Sequence, residues 1–216
     1  MITEIVTSAA AIYGIYVAHM GLQTWRREAI GKRDVVLCED VMARFYEAES
    51  RLRDLRSPAV WAGEGATRPN RTEDDSEEKV RRDILFAPIE RFEKQLPFWR
   101  ELLAYRFKMK AFVPGDSSAL FDRLDLLLRK YRSAASVRYR SEFPMAGSLN
   151  EATLKEFDSI LFEWGEADQT RDEMSNIVKG MEAICLPHVR MTVAPFATPL
   201  ERLSKSVAMR LTSRHE

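Results

Sequence analysis

The chain opens on a long apolar stretch and then changes character. From Ile5 to Trp25 it reads IVTSAAAIYGIYVAHMGLQTW, with no formally charged residue. As a helix, these 21 residues rise about 30 Å, the thickness of a bilayer hydrocarbon core. Beyond Arg26 the apolar positions recur every third or fourth residue, the period of a helix with one buried face. Cys38, Val41, Phe45, Ala48, Leu52 and Leu55 form such a seam, and Ser57-Pro58 ends it, because the residue before a proline disfavours helical geometry. Residues 59–78 turn to Gly, Pro, Asn, Thr and acids, the composition of a long, mobile loop.

A second helical stretch is expected over 79–112, kinked or restarted at Pro88 and Pro97 and rich in aromatic residues. Asp116 or Ser117 caps a third, with Leu120, Phe121, Leu124, Leu127, Leu128 and Tyr131 on one side. Ser148 and Glu151 form a capping box for a fourth bearing Leu154, Phe157, Leu161 and Trp164. The polar run 165–173 breaks it or forms an exposed turn. Ile177, Val178, Met181 and Ile184 resume the apolar face, and Pro187 ends it. Thr198, Pro199 and Glu201 start a last helix with Leu200, Leu203, Val207 and Leu211 on one face. With no strand signal longer than residues 191–193, the class is all-α: an N-terminal transmembrane helix over 1–25 continues into a cytoplasmic helical bundle over 26–216.

The flanks set the orientation of the first helix. Glu4 is the only charge before it, whereas Arg26, Arg27, Lys32 and Arg33 follow it directly, with Trp25 at the boundary. Basic residues remain on the cytoplasmic side, so the N-terminus is expected outside and the rest of the chain at the cytoplasmic face of a bacterial inner membrane. A cleaved signal peptide would carry its positive charge before the apolar core, not after it. Ala10, Gly14 and Ala18 lie on one helical face, where small side chains let a second helix approach. A homodimer through this stripe, extended by the seam from Cys38 to Leu55, is one use of the pattern. Packing of that seam inside one domain is the other.

Composition narrows the partners. The chain has 33 basic and 33 acidic residues, so no global field draws it to nucleic acid, and no specific nucleic-acid binding is expected. Cys38 and Cys185, in apolar helical settings, suit reduced core thiols rather than a disulfide framework.

Catalytic patterns are sparse. The glycine pair at Gly63 and Gly65 lacks the strand, the Lys-Ser/Thr pair and the helix start of a phosphate loop. Cys185 and His188 have half of a zinc spacing with no matching pair elsewhere, and no Glu-x-x-His motif is present for a di-iron bundle. A nucleophile would need a base, and the only histidines are His19, His188 and His215. No catalytic residue, metal or cofactor is therefore expected. Acidic runs such as Glu73, Asp74, Asp75, Glu77 and Glu78 read as solvated surface. Arginine supplies 24 of the 33 basic residues, and it favours bidentate contacts with phosphate or carboxylate. Arg51, Arg53 and Arg56, with Arg81 and Arg82, are the candidates for binding an anion. The basic last helix is open to resting on an anionic membrane surface.

Trp25 to Arg27, Phe45 to Ala48, Arg56 to Pro58 and Gly63 to Gly65 resemble segments of uncharacterised bacterial proteins with a short N-terminal anchor followed by a helix. The resemblance covers roughly the first seventy residues. It implies an anchored helical topology and no activity. The leading expectation is an anchored interaction or scaffold protein whose partners are the lipid bilayer, an unidentified protein and a second copy. One alternative is an anchored sensor domain binding an anionic small molecule through clustered arginines, with 59–78 as a lid. Another is a soluble bundle with a buried first helix.

Overall fold

The structure is a computed structural model that describes residues 2–143, 149–163, 165 and 167–191, without the side chains of residues 2–10, Arg27, Glu73 and Met191. Its regular elements are helical: α1 (Ile2–Leu55), a 3-10 turn (Arg71–Glu73), α2 (Ser76–Phe112), α3 (Ser117–Arg140), α4 (Glu151–Leu161) and α5 (Gln169–Met191). The all-α expectation holds for the described residues. The last expected helix, with Leu200, Leu203, Val207 and Leu211, lies outside them, as does Trp164.

The 54 residues of α1 contain no proline, so nothing in the backbone chemistry interrupts a rod about 80 Å long. Its second half is one wall of a bundle. α1 packs on α2 and α5, α2 on α3, and α3 on α5, while short α4 rests on α3. Neighbouring helices run antiparallel: Arg33 and Arg51 of α1 lie over Phe112 and Phe98 of α2, and Arg123 of α3 reaches Glu173 of α5. The core is one cluster centred on Phe45, Trp99, Leu102, Phe121, Leu124, Tyr131, Ile177 and Met181. Phe45 meets Phe121 edge to face at 5.3 Å, a geometry that aromatic quadrupoles favour. Gly180 lets α3 approach α5, since a Cβ there would lie 2.8 Å from a Leu120 methyl.

Several boundaries differ from those read in the sequence. α2 runs unbroken through Pro88 and Pro97, and α5 through Pro187. Each proline removes one backbone hydrogen bond, yet core residues on both sides (Ala87, Phe92, Phe98 and Trp99 in α2) hold the segments in line. α4 is capped by Asn150, whose side chain accepts from the Thr153 N–H at 2.7 Å, in place of the expected Ser148, which lies outside the described residues. α4 stops at Leu161. α5 begins after Asp168, whose Oδ1 accepts from the Arg171 N–H at 2.9 Å, so the polar run 165–173 contains both a break and a new helix start. Asp116 precedes α3 without making a side-chain cap bond.

Among the described residues no helix is long and apolar enough to cross a membrane. His19, Gln23 and Thr24 dilute the apolar stretch just before Arg26, and its first part, Ile5 to Ala10, contributes no described side chain. The transmembrane helix expected from the sequence is thus not met within the described residues. The alternative of a buried first helix is corrected more directly. Every described side chain from Ala11 to Ile30 is exposed, and Gly14, Gly21 and Gly31 have no neighbour within 4 Å of a built Cβ.

Candidate functional site

Helix α1 carries two sets of apolar residues with opposite fates. In the seam Cys38, Val41, Phe45, Ala48, Leu52 and Leu55 are all buried in the chain's own core. Of the two uses expected of this seam, packing inside one domain is the one the structure has: α2 and α5 occupy it. On the other half, Ile12, Tyr13, Ile15, Tyr16, Val17, Met20, Leu22 and Trp25 are exposed, Ile15 to 71% and Tyr13 to 69%. Successive helical positions step by about 100°, so these residues surround the rod instead of lining one face. The small residues Gly14 and Ala18 are open on it, and the side chain of Ala10 lies outside the described residues. Trp25 and Arg26 mark the change to polar sequence, and Lys32 and Arg33 stand just before the bundle begins.

Of the arginines proposed as an anion site, Arg53 and Arg56 line one cleft and Arg51, Arg81 and Arg82 lie apart from it. Arg51 pairs with Glu47 one helical turn away and stacks over Phe98 at 4.3 Å. Arg81 reaches Glu142, and Arg82 reaches Asp74 and Glu78. Arg53 and Arg56 border a shallow cleft of about 50 Å3, with Glu49, Glu163 and Arg171 also lining it. That volume holds water and not a metabolite.

Arg56 has another use. It is fully buried and forms a two-pronged pair with Asp168, at 2.9 and 2.8 Å, while its remaining N–H groups donate to the carbonyls of Ser159, Ile160 and Phe162. Those carbonyls lie at the C-terminal end of α4, where helix acceptors take donors from outside the helix. One guanidinium therefore ties the end of α1 to the end of α4 and the start of α5. Burial pushes the Asp168 carboxyl upward, but Arg56 and the Arg171 N–H outweigh it and hold its pKa below the ordinary range.

A second group of ion pairs binds the 59–78 segment to α2. Buried Arg68 bridges Asp74 and Asp83, and Arg71 also reaches Asp83 at 2.8 Å. Arg91 pairs with Glu64 and donates to the carbonyls of Ser57 and Ala59. Glu90 accepts from the Gly65 N–H at 2.7 Å. Gly65 has φ +77°, and a Cβ there would lie 1.9 Å from the Asp83 carbonyl oxygen. The glycine is required because the loop backbone lies directly on the helix backbone. Hydrogen bonds from Arg91 lower the Glu64 pKa. For Glu90, burial pushes upward but Lys94, Thr67 and the Gly65 N–H bring it below the ordinary value.

Cys38 and Cys185, distant in sequence, meet in the core and share a hydrogen bond; burial, the largest cause, raises both thiol pKa values and disfavours the reactive thiolate. Among the described residues no group of three or more His, Cys, Asp or Glu could hold a metal ion. Arg68, Arg91, Glu64 and Glu90 are residues that sequence reasoning left out, and Asp168, which reads in the sequence as part of a solvated acidic run, is buried. Only Asp168, three residues before Arg171 at a helix start, has a local signal, that of an N-cap. No family model, curated protein or solved structure matches the chain.

Proposed function

We propose that this is a membrane-anchored helical protein. Its first 25 residues enter the bilayer, and its bundle serves as an interaction domain at the cytoplasmic face of a bacterial inner membrane. The observation that carries the reading is the projecting half of α1: large apolar side chains exposed on all sides of a rod clear of the bundle. A helix apolar all round needs cover, from lipid or from protein, and a patch of this size is not left to water. An uncharged run of bilayer length, closed by Trp25 and then by Arg26, Arg27, Lys32 and Arg33, favours lipid as the cover. With the Cys38 to Leu55 seam occupied, a homodimer would form through Ala10, Gly14 and Ala18.

The test is fractionation of the expressed full chain with an alkaline carbonate wash of the membranes. Retention of the protein in the washed membranes is expected. Recovery in the supernatant without detergent would reject the anchor, and a discrete soluble oligomer there would identify a second copy as the cover.

A further inference from the structure

The end of the bundle next to the projecting helix concentrates positive charge from two helices. Because α2 runs antiparallel to α1, its last turn comes back to the level of Arg33, whose guanidinium lies 4.2 Å above the ring of Phe112. Phe112 remains 42% exposed. Lys32 precedes this contact on α1, and Lys108 and Lys110 are exposed on α2. Elsewhere arginines are largely matched by acids, as in Arg44 with Glu101, Arg106 with Asp122, Arg123 with Glu173 and Arg132 with Glu93. Lys32, Lys108 and Lys110 form no ion pair among the described residues. The acids at this end are fewer: Glu28, exposed one turn before Lys32, Asp116 at the start of α3, and Asp34, which is mostly buried and engaged by Arg33 at 2.8 Å.

We propose that this end of the bundle seats on anionic phospholipid headgroups, through Lys32, Lys108 and Lys110 with the Arg33-Phe112 stack between them. The inference rests on the anchor reading, which fixes the height. Arg33 is eight residues beyond Trp25, about 12 Å along a helix. The headgroup layer takes up roughly 5 to 7 Å of that distance. What is left is shorter than the screening length of about 8 Å at physiological salt, so Lys32 and Arg33 act within the surface potential of an anionic leaflet, while Lys110 and Lys108, preceding Phe112 on α2 and so about 3 and 6 Å farther out, reach it with extended side chains. Charge complementarity selects phosphate-bearing lipid over a neutral surface, and the exposed Phe112 ring suits the interface, where aromatic rings prefer to lie.

The experiment uses the full chain with Ala111→Cys, an exposed position labelled with an environment-sensitive fluorophore. Cys38 and Cys185 are fully buried and do not compete for the label. The protein is reconstituted into vesicles of phosphatidylcholine alone or mixed with phosphatidylglycerol, each containing a nitroxide lipid that quenches at headgroup depth. Strong quenching in the anionic vesicles, weak quenching in the neutral ones, and loss of the difference in Lys108→Gln/Lys110→Gln are expected. Two basic charges at roughly fivefold each should shift the seated-to-lifted ratio about thirtyfold. Far-ultraviolet dichroism establishes that the variant keeps its helices. Equal quenching in both lipids, or no effect of the double substitution while the protein still floats with the vesicles, overturns the seating and leaves the anchor standing. Flotation only with anionic vesicles, abolished by the double substitution and by carbonate, keeps the seating and rejects the anchor. Flotation with neither rejects both.

Discussion

The two halves of α1 share one backbone and follow opposite rules. Beyond Asp34, most apolar residues keep to one stripe and charged residues occupy much of the rest, so α2 and α5 cover the stripe while water covers the remainder. Between Ala11 and Ile30, apolar residues lie on every side and acids are nearly absent, so no single protein face could cover them. Burial is thus decided by how apolar residues are distributed around the helix, not by how many there are.

The sharpest way to break the contrast is to substitute the same kind of residue in each half. Phe45→Ala should lower the unfolding free energy of the bundle by about 3–5 kcal/mol in a denaturant titration, since a fully buried ring against Phe121 leaves a cavity. Arg56→Met should cost a similar amount, about 3–5 kcal/mol, because Asp168 is left as an uncompensated buried charge and the α4 carbonyls lose their donor. In the projecting half, Ile15→Arg should leave the bundle's melting temperature unchanged while weakening membrane insertion by about 3 kcal/mol, read as release by carbonate. An equal loss of bundle stability there would mean that the two halves are not independent. Gly180→Ala, which presses on the flexible end of Leu120 while gaining about 0.5–1 kcal/mol of helix propensity, should change stability by less than about 1 kcal/mol by melting.

The smallest expected effect is one of acidity. Asp168, Glu64 and Glu90 have folded-state pKa values below their ordinary ones. Each therefore contributes stability fully present above its unfolded value, near pH 4, and lost as the pH falls through the folded value. Stability should be flat from neutrality to about pH 5 and decline below about pH 4. Asp168→Asn should flatten that decline, whereas Ile15→Arg should leave it unaltered.

How much of this is legible in the sequence depends on whether a feature is local. The Cys38 to Leu55 stripe, the end of α1 before Pro58 and the start of α3 near Ser117 all follow from periodicity or from a neighbour's geometry, and the structure has them there. The prolines at 88, 97 and 187 are misleading. Their effect on one hydrogen bond is local, but the packing that keeps the helix straight comes from residues on other helices. The arginines mislead for the same reason. Arg56 looks like one of a surface triplet with Arg51 and Arg53, and its partner Asp168 lies on a different helix far along the chain. Arg53 and Arg56, three residues apart, share a face and line the same cleft, so spacing alone does not say which of them enters the core; the position of Asp168 decides it. The loop composition of 59–78 announces turns, and nothing in it announces that Arg68 and Gly65 will lie against Asp83.

The absence of any proline from α1 has a mechanical consequence. A helix without a break between Ile2 and Leu55 is stiff in bending and in torsion. Turning or tilting its first half turns the whole bundle through the same angle, and the far end, where Arg56 locks three segments together, moves along the longest arc. The rod works as a shaft: whatever holds one end sets the compass bearing of the other.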